Sequence, residues 1–383
     1  MKWLVCSAKK VINKIKNKIL LELYLTKGTV ESLNVELDED LLEQNWAFKK
    51  TNCYTDNSSK TKAFESVDVS IIVPLYNSEK YIEACVNGFL NQETQYIFEV
   101  ILVNDGSKDR TLSMARVYQN QYKDIIKVID QPNGGISSAR NMGIKASRGK
   151  YLSFVDHDDY VDSHFIERLM EAAYKEDADI VKSAFADIYK GKCKEPQEQI
   201  DIVICGTMKE SLFEYRSYIF PGVYRRELFD HVRFPVGFWY EDMIVRTLLY
   251  RQCQKFVHIS DVLYYKNFHE NNASFVVWDI NSYKCLEHLY MVMNLIEENE
   301  KMGMPNDVWF YQCILREVSF ILSLRTRNLD SKTRQMVFLK ACDIITKLYK
   351  EEYKQFILEK NKLWQRAFFR KEYKLWLLLS GHY

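Results

Sequence analysis

From residue 68 to residue 156 the chain alternates between continuous apolar runs and amphipathic stretches with helical periodicity. The apolar runs are rich in β-branched residues and too uniformly apolar to be half solvated, which favours strands covered on both faces. The predicted order is strand VSIIVPLYN, helix 78–91, strand FEVILVND, helix 109–120, strand IIKVID, helix 136–147 and strand KYLSFVD. This alternation predicts an α/β fold with an open, mostly parallel sheet, flanking helices and right-handed crossovers.

A polar segment follows each of these predicted strands. In chain order the segments are PLYNSE, NDGSKD, QPNGG and DHDD. In open parallel sheets, ligands bind beyond the carboxyl ends of the strands. We therefore expect the four segments to converge on one ligand-binding crevice.

Beyond residue 180 the pattern becomes mixed. Predicted strands DIVKSAFADIY, QIDIVI, KFVHIS and VLYYKNF alternate with predicted helices at 207–217 and 241–252, and from Asn281 the chain is helical. We predict three regions. They are residues 1–67, with a basic helix, an acidic stretch and a polar linker; residues 68–280, the α/β domain; and residues 281–383, a helical region rich in basic and aromatic residues.

Both ends of the chain are basic, although the formal net charge of all 383 residues is +1. Seven lysines and one acidic residue precede residue 28, and seven basic and two acidic residues follow residue 353. An amphipathic helix with a cationic face is predicted from the spacing of Val11, Ile12, Ile15, Ile19 and Leu23. One hypothesis is that the ends attach to an anionic membrane surface. The alternative is that the helices pack on the domain and display a solvated basic face.

The composition is that of a globular protein, and the cysteines and the N-terminal sequence predict its cellular location. The nine cysteines contain no CxxC pair, and no leader sequence precedes them, which predicts reduced thiols and a cytoplasmic location. If the basic ends bind lipid, the location is peripheral, at the inner face of the plasma membrane. No apolar run is long enough to span a bilayer. No nucleic-acid recognition motif accompanies the basic charge, so we expect no nucleic-acid partner.

The segment DHDD places Asp156, Asp158 and Asp159 within four positions at the end of a strand. Carboxylates this close repel one another, so a cation or strong donors should accompany them. Hard oxygen ligands on a short turn suit Mg²⁺ or Mn²⁺, which keep positions open for phosphate oxygens. The alternative is capping of the next helix, for which Asp162 alone would be enough.

The other strand ends admit two interpretations each. Asp105 can accept hydrogen bonds from a nucleobase, or it can form an Asx-turn ahead of a helix. The glycine pair in QPNGGISSARN precedes Arg140 and Asn141, and a helix start with a guanidinium favours an anion, yet the spacing matches neither a P-loop nor a dinucleotide motif. Tyr76 in PLYNSEKY can stack on a base or belong to an ordinary turn.

Two further segments carry ionisable side chains. Glu241 and Asp242 in FWYEDM precede an amphipathic helix, where acidic residues are ordinary because the helix dipole favours them. His269 in YYKNFHENNAS is typical of a structural histidine. It is also a candidate metal ligand, together with Asp156 and Asp158.

Taken in order, SIIVPLYN, VNDGSKDRT, QPNGGISSARNMGI, YLSFVDHDD and FWYEDM resemble the family 2 inverting glycosyltransferases of the GT-A fold, over roughly residues 68–270. The resemblance implies a nucleotide-sugar donor, usually a UDP-sugar, and Mn²⁺ or Mg²⁺ at Asp156, Asp158 and His269. It implies Asp242 as general base, with Glu241 as the fallback. The implied donor-binding residues are Pro74, Tyr76, Asn77, Glu79, Asp105, Asn133, Gly134, Gly135, Arg140, Asn141, Asp156 and His157. Asn104 departs from the family pattern, because many relatives have Asp there.

The resemblance and the basic amphipathic ends together suggest what the enzyme makes. LWQRAFF lacks the Gln-x-x-Arg-Trp signature of processive synthases, so one sugar is expected per reaction. The expected acceptor is a carbohydrate or a lipid-linked saccharide in cell-surface polysaccharide or glycolipid assembly. Three alternatives stay open: transfer of another nucleotide-activated group such as a phosphorylated polyol, hydrolysis of the nucleotide-sugar, and a non-catalytic carbohydrate-binding or nucleotide-sugar-binding module.

Overall fold

The computed structural model describes residues 20–21, 24–25, 67–189, 191–194, 201–206, 213, 215–269, 272 and 283–381. The chain forms two compact units, Asn52–Asn272 and the combination of Met1–Thr51 with Ala273–Tyr383. The region boundaries predicted from the sequence stay a prediction.

The first unit alternates strand and helix as the apolar pattern predicts. Its strands are β1 Val69–Leu75, β2 Phe98–Asp105, β3 Ile126–Gln131, β4 Tyr151–Phe154, β5 Tyr160–Val161, β6 Ile180–Tyr189, β7 Lys192–Lys194, β8 Ile202–Cys205, β9 Gly222–Arg225 and β10 Lys255–Phe268. Its helices are α1 Ile82–Leu90, α2 Thr111–Gln121, α3 Ile136–Ala146, α4 Phe165–Glu176, the π-helical segment Val245–Leu249 and the short α5 Tyr250–Gln252. A 3₁₀ helix covers Arg226–Phe229.

In the part of the chain that the structure describes, these strands form one sheet in the order β3-β2-β1-β4-β9-β6-β10-β5, with β7 beside β6 and β8 beside β10. Strands β3, β2, β1 and β4 are parallel, as are β6 and β10. Strand β9 runs antiparallel to both β4 and β6 and joins the two parallel groups. The carboxyl ends of β1, β2, β3 and β4 therefore lie along one edge, as predicted.

Several details differ from the sequence prediction, among them that short strands β5 and β7 were not predicted. KFVHIS and VLYYKNF are one strand, β10, because two irregularities between Ile259 and Tyr264 shift its register and let it keep pairing with β6. Strand β9 was not predicted, since its four residues are too few to show a period. The helix predicted at 207–217 falls mostly outside the described residues, and residues 215–217 are not helical.

The second unit is helical where it is described. Its helices are α6 Glu287–Lys301, α7 Val308–Arg316, the π-helical segment Glu317–Ile321, α8 Leu322–Arg325, α9 Ser331–Leu348, α10 Lys362–Phe369 and α11 Tyr373–Leu379. Three 3₁₀ segments, Tyr283–Leu286, Glu351–Phe356 and Glu359–Asn361, accompany them.

The aromatic tail points into this helical unit. Trp376 is fully buried, its ring centroid lies 5.3 Å from that of Phe338, and its indole N–H donates to the Val318 carbonyl oxygen at 3.2 Å. Phe368 is buried as well, whereas Phe369 is exposed. The tail helices thus pack largely as the non-membrane alternative predicts, while membrane attachment of the basic ends stays a prediction.

The predicted N-terminal helix lies almost entirely outside the described residues. Residues 20–21 and 24–25 are helical, and the Tyr24 hydroxyl donates to the buried Glu372 carboxylate at 3.2 Å. Across the described ranges, we find no helix with both the length and the apolar character that a bilayer crossing requires.

Helix α3 sets the position of the strand ends because it packs directly on the sheet. Ala139 lies in a fully buried cluster with Ile101 and Val103 of β2. One turn further, Gly143 faces Ile72 of β1 so closely that a Cβ atom there would lie 2.3 Å from Ile72 Cγ2. Only glycine allows this approach of helix and strand.

Gly143→Ala is expected to lower the free energy of unfolding by about 1–3 kcal/mol, the usual range for overpacking a core. Urea unfolding followed by circular dichroism measures the change. The matched control is Gly88→Ala in α1, where the new Cβ would meet Val161 Cγ2 at 3.3 Å. Since alanine also favours the helix by about 1 kcal/mol, the control should change stability little. Equal losses in both variants would contradict the packing argument.

Candidate active site

The loops that follow β1 and β2 are hydrogen-bonded to each other. The Asn77 backbone N–H donates to Ser107 Oγ at 3.0 Å, and Asn77 Oδ1 accepts from the Lys108 N–H at 2.9 Å. Glu79 Oε2 accepts from the Arg110 N–H at 3.0 Å. The two loops form one surface, on which the Tyr76 ring is 45% exposed.

Asp105 holds the glycine turn that follows β3. Its Oδ1 accepts from Gln131 Nε2 at 2.7 Å and from the Gly134 N–H at 2.8 Å, and its Oδ2 accepts from the Gly135 N–H at 2.8 Å. Asn133 Nδ2 donates to the Asp105 carbonyl oxygen at 2.9 Å. A carboxylate offers about four acceptor positions, so Asp105 shapes this turn and keeps capacity for one more donor.

Asn104, the residue that departs from the family pattern, has a local partner. Its Nδ2 donates to Asp130 Oδ1 at 2.7 Å on the neighbouring strand β3. An Asp at this position would bring a second carboxylate against Asp130. The amide therefore removes a repulsion between two adjacent strand ends.

The acidic side chains that follow β4 have separate partners. Asp156 Oδ1 accepts from Arg140, Asp158 Oδ2 contacts His269 Nε2 at 2.8 Å, and Asp159 accepts from Tyr264 and from the Asn267 N–H. Burial raises the pKa of Asp159 well above its usual range, and the neighbouring carboxylates add to the shift. The strand end can therefore hold three acids because each is paired with a different group.

Helix capping does not account for these acids. Asp162 Oδ1 accepts from the His164 N–H at 2.9 Å, next to the start of α4. This N–H belongs to the residue before α4, and the helix has no side-chain cap, so Asp162 does not fill the capping role that the sequence analysis allowed it. Asp156, Asp158 and Asp159 bond to other parts of the unit instead.

The two histidines near this turn are held in place by their neighbours. The His269 ring stacks on Tyr81, with centroids 4.9 Å apart and planes at 16°. His157 Nδ1 donates to the Pro74 carbonyl oxygen at 3.2 Å, which joins the ends of β4 and β1. Asn272 Nδ2 also donates to Asp158 Oδ2, at 3.1 Å.

The donor types here are ones that a divalent cation accepts. His269 Nε2 and Asp158 Oδ2 lie 2.8 Å apart, a hydrogen-bond contact between an imidazole and a carboxylate. The chain brings only this pair together: among the described residues, no group of three or more His, Cys, Asp or Glu has metal-holding geometry. The arrangement suits a cation whose remaining ligands come from elsewhere, such as phosphate oxygens or water.

Arg140 joins the acidic turn to the segment that carries Glu241 and Asp242. It is 2% exposed, and its guanidinium donates to Asp156 Oδ1 at 2.9 Å and to Glu241 Oε1 at 2.6 Å. Burial alone would lower the pKa of Arg140, but the two carboxylates offset this effect and raise it. The guanidinium carbon also lies 5.2 Å from the Phe234 ring centroid.

The next residue, Asn141, fixes the same segment through its backbone. Its Nδ2 donates to the Phe234 carbonyl oxygen at 2.7 Å, and its Oδ1 accepts from the Phe234 N–H at 2.9 Å. The pair Arg140 and Asn141 thus acts on protein groups in this structure. Any direct contact with a donor molecule stays a prediction.

Glu241 and Asp242 lie in a turn before the π-helical segment, and their side chains have different surroundings. Glu241 is bound to Arg140. Asp242 is near Lys182, a buried residue of β6 whose amine donates to the Tyr218 and Ile219 carbonyl oxygens at 2.9 and 3.1 Å. Burial lowers the pKa of Lys182 well below its usual value, and the charge of Asp242 opposes this shift.

Several site residues were absent from the sequence prediction: Tyr81, Gln131, Lys182, Tyr264 and Asn272. Only Lys182 carried a readable signal, since a lysine in the apolar run DIVKSAF is unusual in a strand covered on both faces. The others are ordinary residue types whose importance depends on distant partners.

Comparison with known proteins identifies similar sequences and folds. The family model described as Glycosyl transferase family 2 matches residues 70–246. The chain is 44% identical to the uncharacterized glycosyltransferase EpsJ of Bacillus subtilis, over 42% of this chain and 49% of EpsJ. It is 31% identical to the glycosyltransferase GlyG of Streptococcus pneumoniae, over 51% of this chain and 69% of GlyG. The matched part thus spans about half of EpsJ.

A solved structure supports the fold. The crystal structure of S. aureus TarS 1-349 in complex with UDP-GlcNAc aligns with a TM-score of 0.62 at 20% identity, covering 82% of this chain and 91% of that one. The likeness confirms the predicted GT-A fold class, a mixed sheet with flanking helices and a helical C-terminal region.

Arg140→Ala is expected to lower the free energy of unfolding by about 3–5 kcal/mol, because it leaves two partly buried carboxylates without their cation. Chemical unfolding measures the loss. The control is Arg116→Ala, since Arg116 lies 3.7 Å from Asp130 in an exposed pair and should contribute less than about 1 kcal/mol. A loss at Arg140 no larger than at Arg116 would rule out the bridge as a structural constraint.

Proposed function

The chain belongs to glycosyltransferase family 2, and from this premise we propose that it transfers one sugar at a time from a nucleotide-sugar to an acceptor hydroxyl, with inversion at the anomeric carbon. The donor is proposed to be a UDP-sugar. The TarS complex with UDP-GlcNAc, on the same fold, supports this choice.

The observation that carries the proposal is the link between the two acidic segments. Arg140 holds Asp156, at the end of β4, and Glu241, next to Asp242, on one guanidinium. Inverting transfer needs a base on one side of the reacting carbon and a stabilised leaving group on the other. A rigid connection between these two segments meets that need.

The donor is proposed to lie across the strand ends in chain order. The nucleoside would contact Pro74, Tyr76, Asn77, Glu79 and Asp105, with the exposed Tyr76 ring available for stacking on the base. The turn Asn133, Gly134 and Gly135 would close the base side, because Asp105 holds its backbone. Asp156, His157 and Asp158 would face the diphosphate.

A divalent cation, Mn²⁺ or Mg²⁺, would be held by Asp158 and His269, with Asp156 as a further ligand, and would supply positive charge to the departing diphosphate. Neighbouring side chains orient the proposed metal ligands. Stacking on Tyr81 fixes the His269 ring, and Asn272 fixes the Asp158 carboxylate.

Asp242 is the proposed general base, since it matches the family's base position in the Glu-Asp pair, and its neighbour Glu241 is bound to Arg140. A base must reach the acceptor hydroxyl and hold its proton as the oxygen attacks the anomeric carbon. Glu241 Oε1 already accepts from the buried Arg140 guanidinium at 2.6 Å, which holds this carboxylate away from an acceptor hydroxyl. Glu241 is therefore proposed to position the turn, and Asp242 to act on the acceptor.

The proposed setting is cell-surface polysaccharide or glycolipid assembly at the cytoplasmic face of the membrane, with a carbohydrate or lipid-linked saccharide as acceptor. The relative EpsJ of Bacillus subtilis, at 44% identity, supports the glycosyltransferase part of this proposal. Attachment through the basic ends to an anionic membrane surface is part of the proposal.

Asp242→Asn is expected to lower kcat by about 10²–10⁴-fold, the usual contribution of a general base, while UDP binding is unchanged. Release of UDP from a panel of UDP-sugars and acceptors measures turnover, and a UDP thermal shift measures binding. Glu241→Gln is the control: it should lower stability through Arg140 and reduce kcat less. If Glu241→Gln abolishes turnover and Asp242→Asn does not, the base is Glu241.

Asp158→Asn and His269→Ala are each expected to reduce the rise in melting temperature that UDP with MnCl₂ produces, because a ligand that binds only the folded state stabilises it. Electron paramagnetic resonance of free Mn²⁺ gives a readout independent of activity. Asp162→Asn is the matched control, since its carboxylate bonds next to the start of α4 on the same segment. Undiminished Mn²⁺ binding in both site variants would refute this metal site.

A further inference from the structure

Three aromatic rings form a continuous stack that runs from the acidic turn to the surface of the first unit. Tyr264 and Phe220 lie with centroids 4.8 Å apart and planes at 16°. Phe220 and Tyr218 follow at 5.3 Å and 2°. The three residues are 0%, 6% and 40% exposed in that order, so the stack ends on a ring open to solvent.

The inner end of this stack belongs to the proposed donor site. The Tyr264 hydroxyl bonds to the Asp159 carboxylate and accepts from the Asp156 N–H at 3.3 Å. The backbone of Tyr218, the outer residue, is linked to the region of the proposed base Asp242. Lys182 donates to the Tyr218 carbonyl oxygen, and the charge of Asp242 acts on Lys182.

The outer ring is held in a fixed orientation. Lys266 Nζ lies 5.7 Å from the Tyr218 ring centroid and 4.8 Å from that of Phe220. The Phe185 ring packs edge-on against both, at 6.0 and 5.8 Å. A rigid aromatic face that loses little entropy on binding is well suited to ligand contact.

We propose that the solvent-exposed ring of Tyr218, at the outer end of the stack, binds a sugar ring of the acceptor. The apolar C–H face of a pyranose ring is flat and matches an aromatic face, while its hydroxyls stay accessible at the edges. This inference rests on the proposed function and adds to it the subsite that receives the acceptor.

Sheet order assigns this subsite to the acceptor instead of to the nucleoside. The proposed nucleoside contacts lie at the ends of β1, β2 and β3, and the diphosphate contacts follow β4. Tyr218 leads into β9 and is held by Lys182 of β6, on the other side of β4. A molecule on Tyr218 is therefore on the Asp242 side of the diphosphate, where the attacking hydroxyl must come from.

The test uses saturation-transfer difference NMR on the full chain with UDP and MnCl₂. The probes are the methyl β-glycosides of glucose, galactose and N-acetylglucosamine. At least one probe should give ring-proton signals with the wild type and with Tyr218→Phe, which keeps the ring. With Tyr218→Ala these signals should fall at least fivefold. Tyr122→Ala is the matched control, because Tyr122 is similarly exposed, at 39%, and lies next to α2.

A parallel thermal-shift measurement with UDP separates this inference from the proposed function. The rise in melting temperature should be the same for the wild type, Tyr218→Phe, Tyr218→Ala and Tyr122→Ala. Equal glycoside signals from the wild type and Tyr218→Ala, or no signal from the wild type, would overturn the acceptor subsite. A UDP shift lost only in Tyr218→Ala would also overturn it, because the nucleotide would then occupy that ring. No UDP shift in the wild type would instead contradict the proposed donor.

Discussion

The site depends on the neutralisation of carboxylates that the chain concentrates at one edge of a sheet. Asp156 and Glu241 come from segments far apart in sequence and meet on the single guanidinium of Arg140, with N–O distances of 2.9 and 2.6 Å. Without that cation, two partly buried negative charges would repel each other and favour separation of their segments. The ion pair therefore constrains both the acidic turn and the turn that carries Asp242.

The other two acids of the turn, Asp158 and Asp159, are also paired, each with different groups. Asp159 is buried and takes hydrogen bonds from Tyr264 and Asn267, and burial with two acidic neighbours raises its pKa well above the usual range. Asp158 is left to face His269 and Asn272 at the mouth of the turn. One acid is thus paired with a fixed cation, one is buried among hydrogen-bond donors, and one contacts an imidazole and a side-chain amide.

Several side chains assigned to a ligand by the family resemblance also hold the protein together. Asp105 binds the backbone of Gly134 and Gly135, and Asn141 binds both polar atoms of the Phe234 backbone. A site that must bind a charged nucleotide needs rigid loops, since hydrogen bonds made in advance reduce the entropy lost on binding. The residues to which the resemblance assigns a ligand thus have structural roles of their own.

The sequence by itself determined the alternation of strands and helices, the parallel order implied by it and the positions of the polar strand ends. These features are local or follow from chain order, so period and composition reveal them. Only the tertiary structure decided the partners: Arg140 meets Glu241 across 101 positions and His269 meets Asp158 across 111. The same holds for the ring stack of Tyr218, Phe220 and Tyr264, because strand β9 is too short to show a period and the sequence does not reveal the register shifts within β10. Contacts at such separations depend on how the whole sheet is assembled, and no short stretch of sequence encodes them.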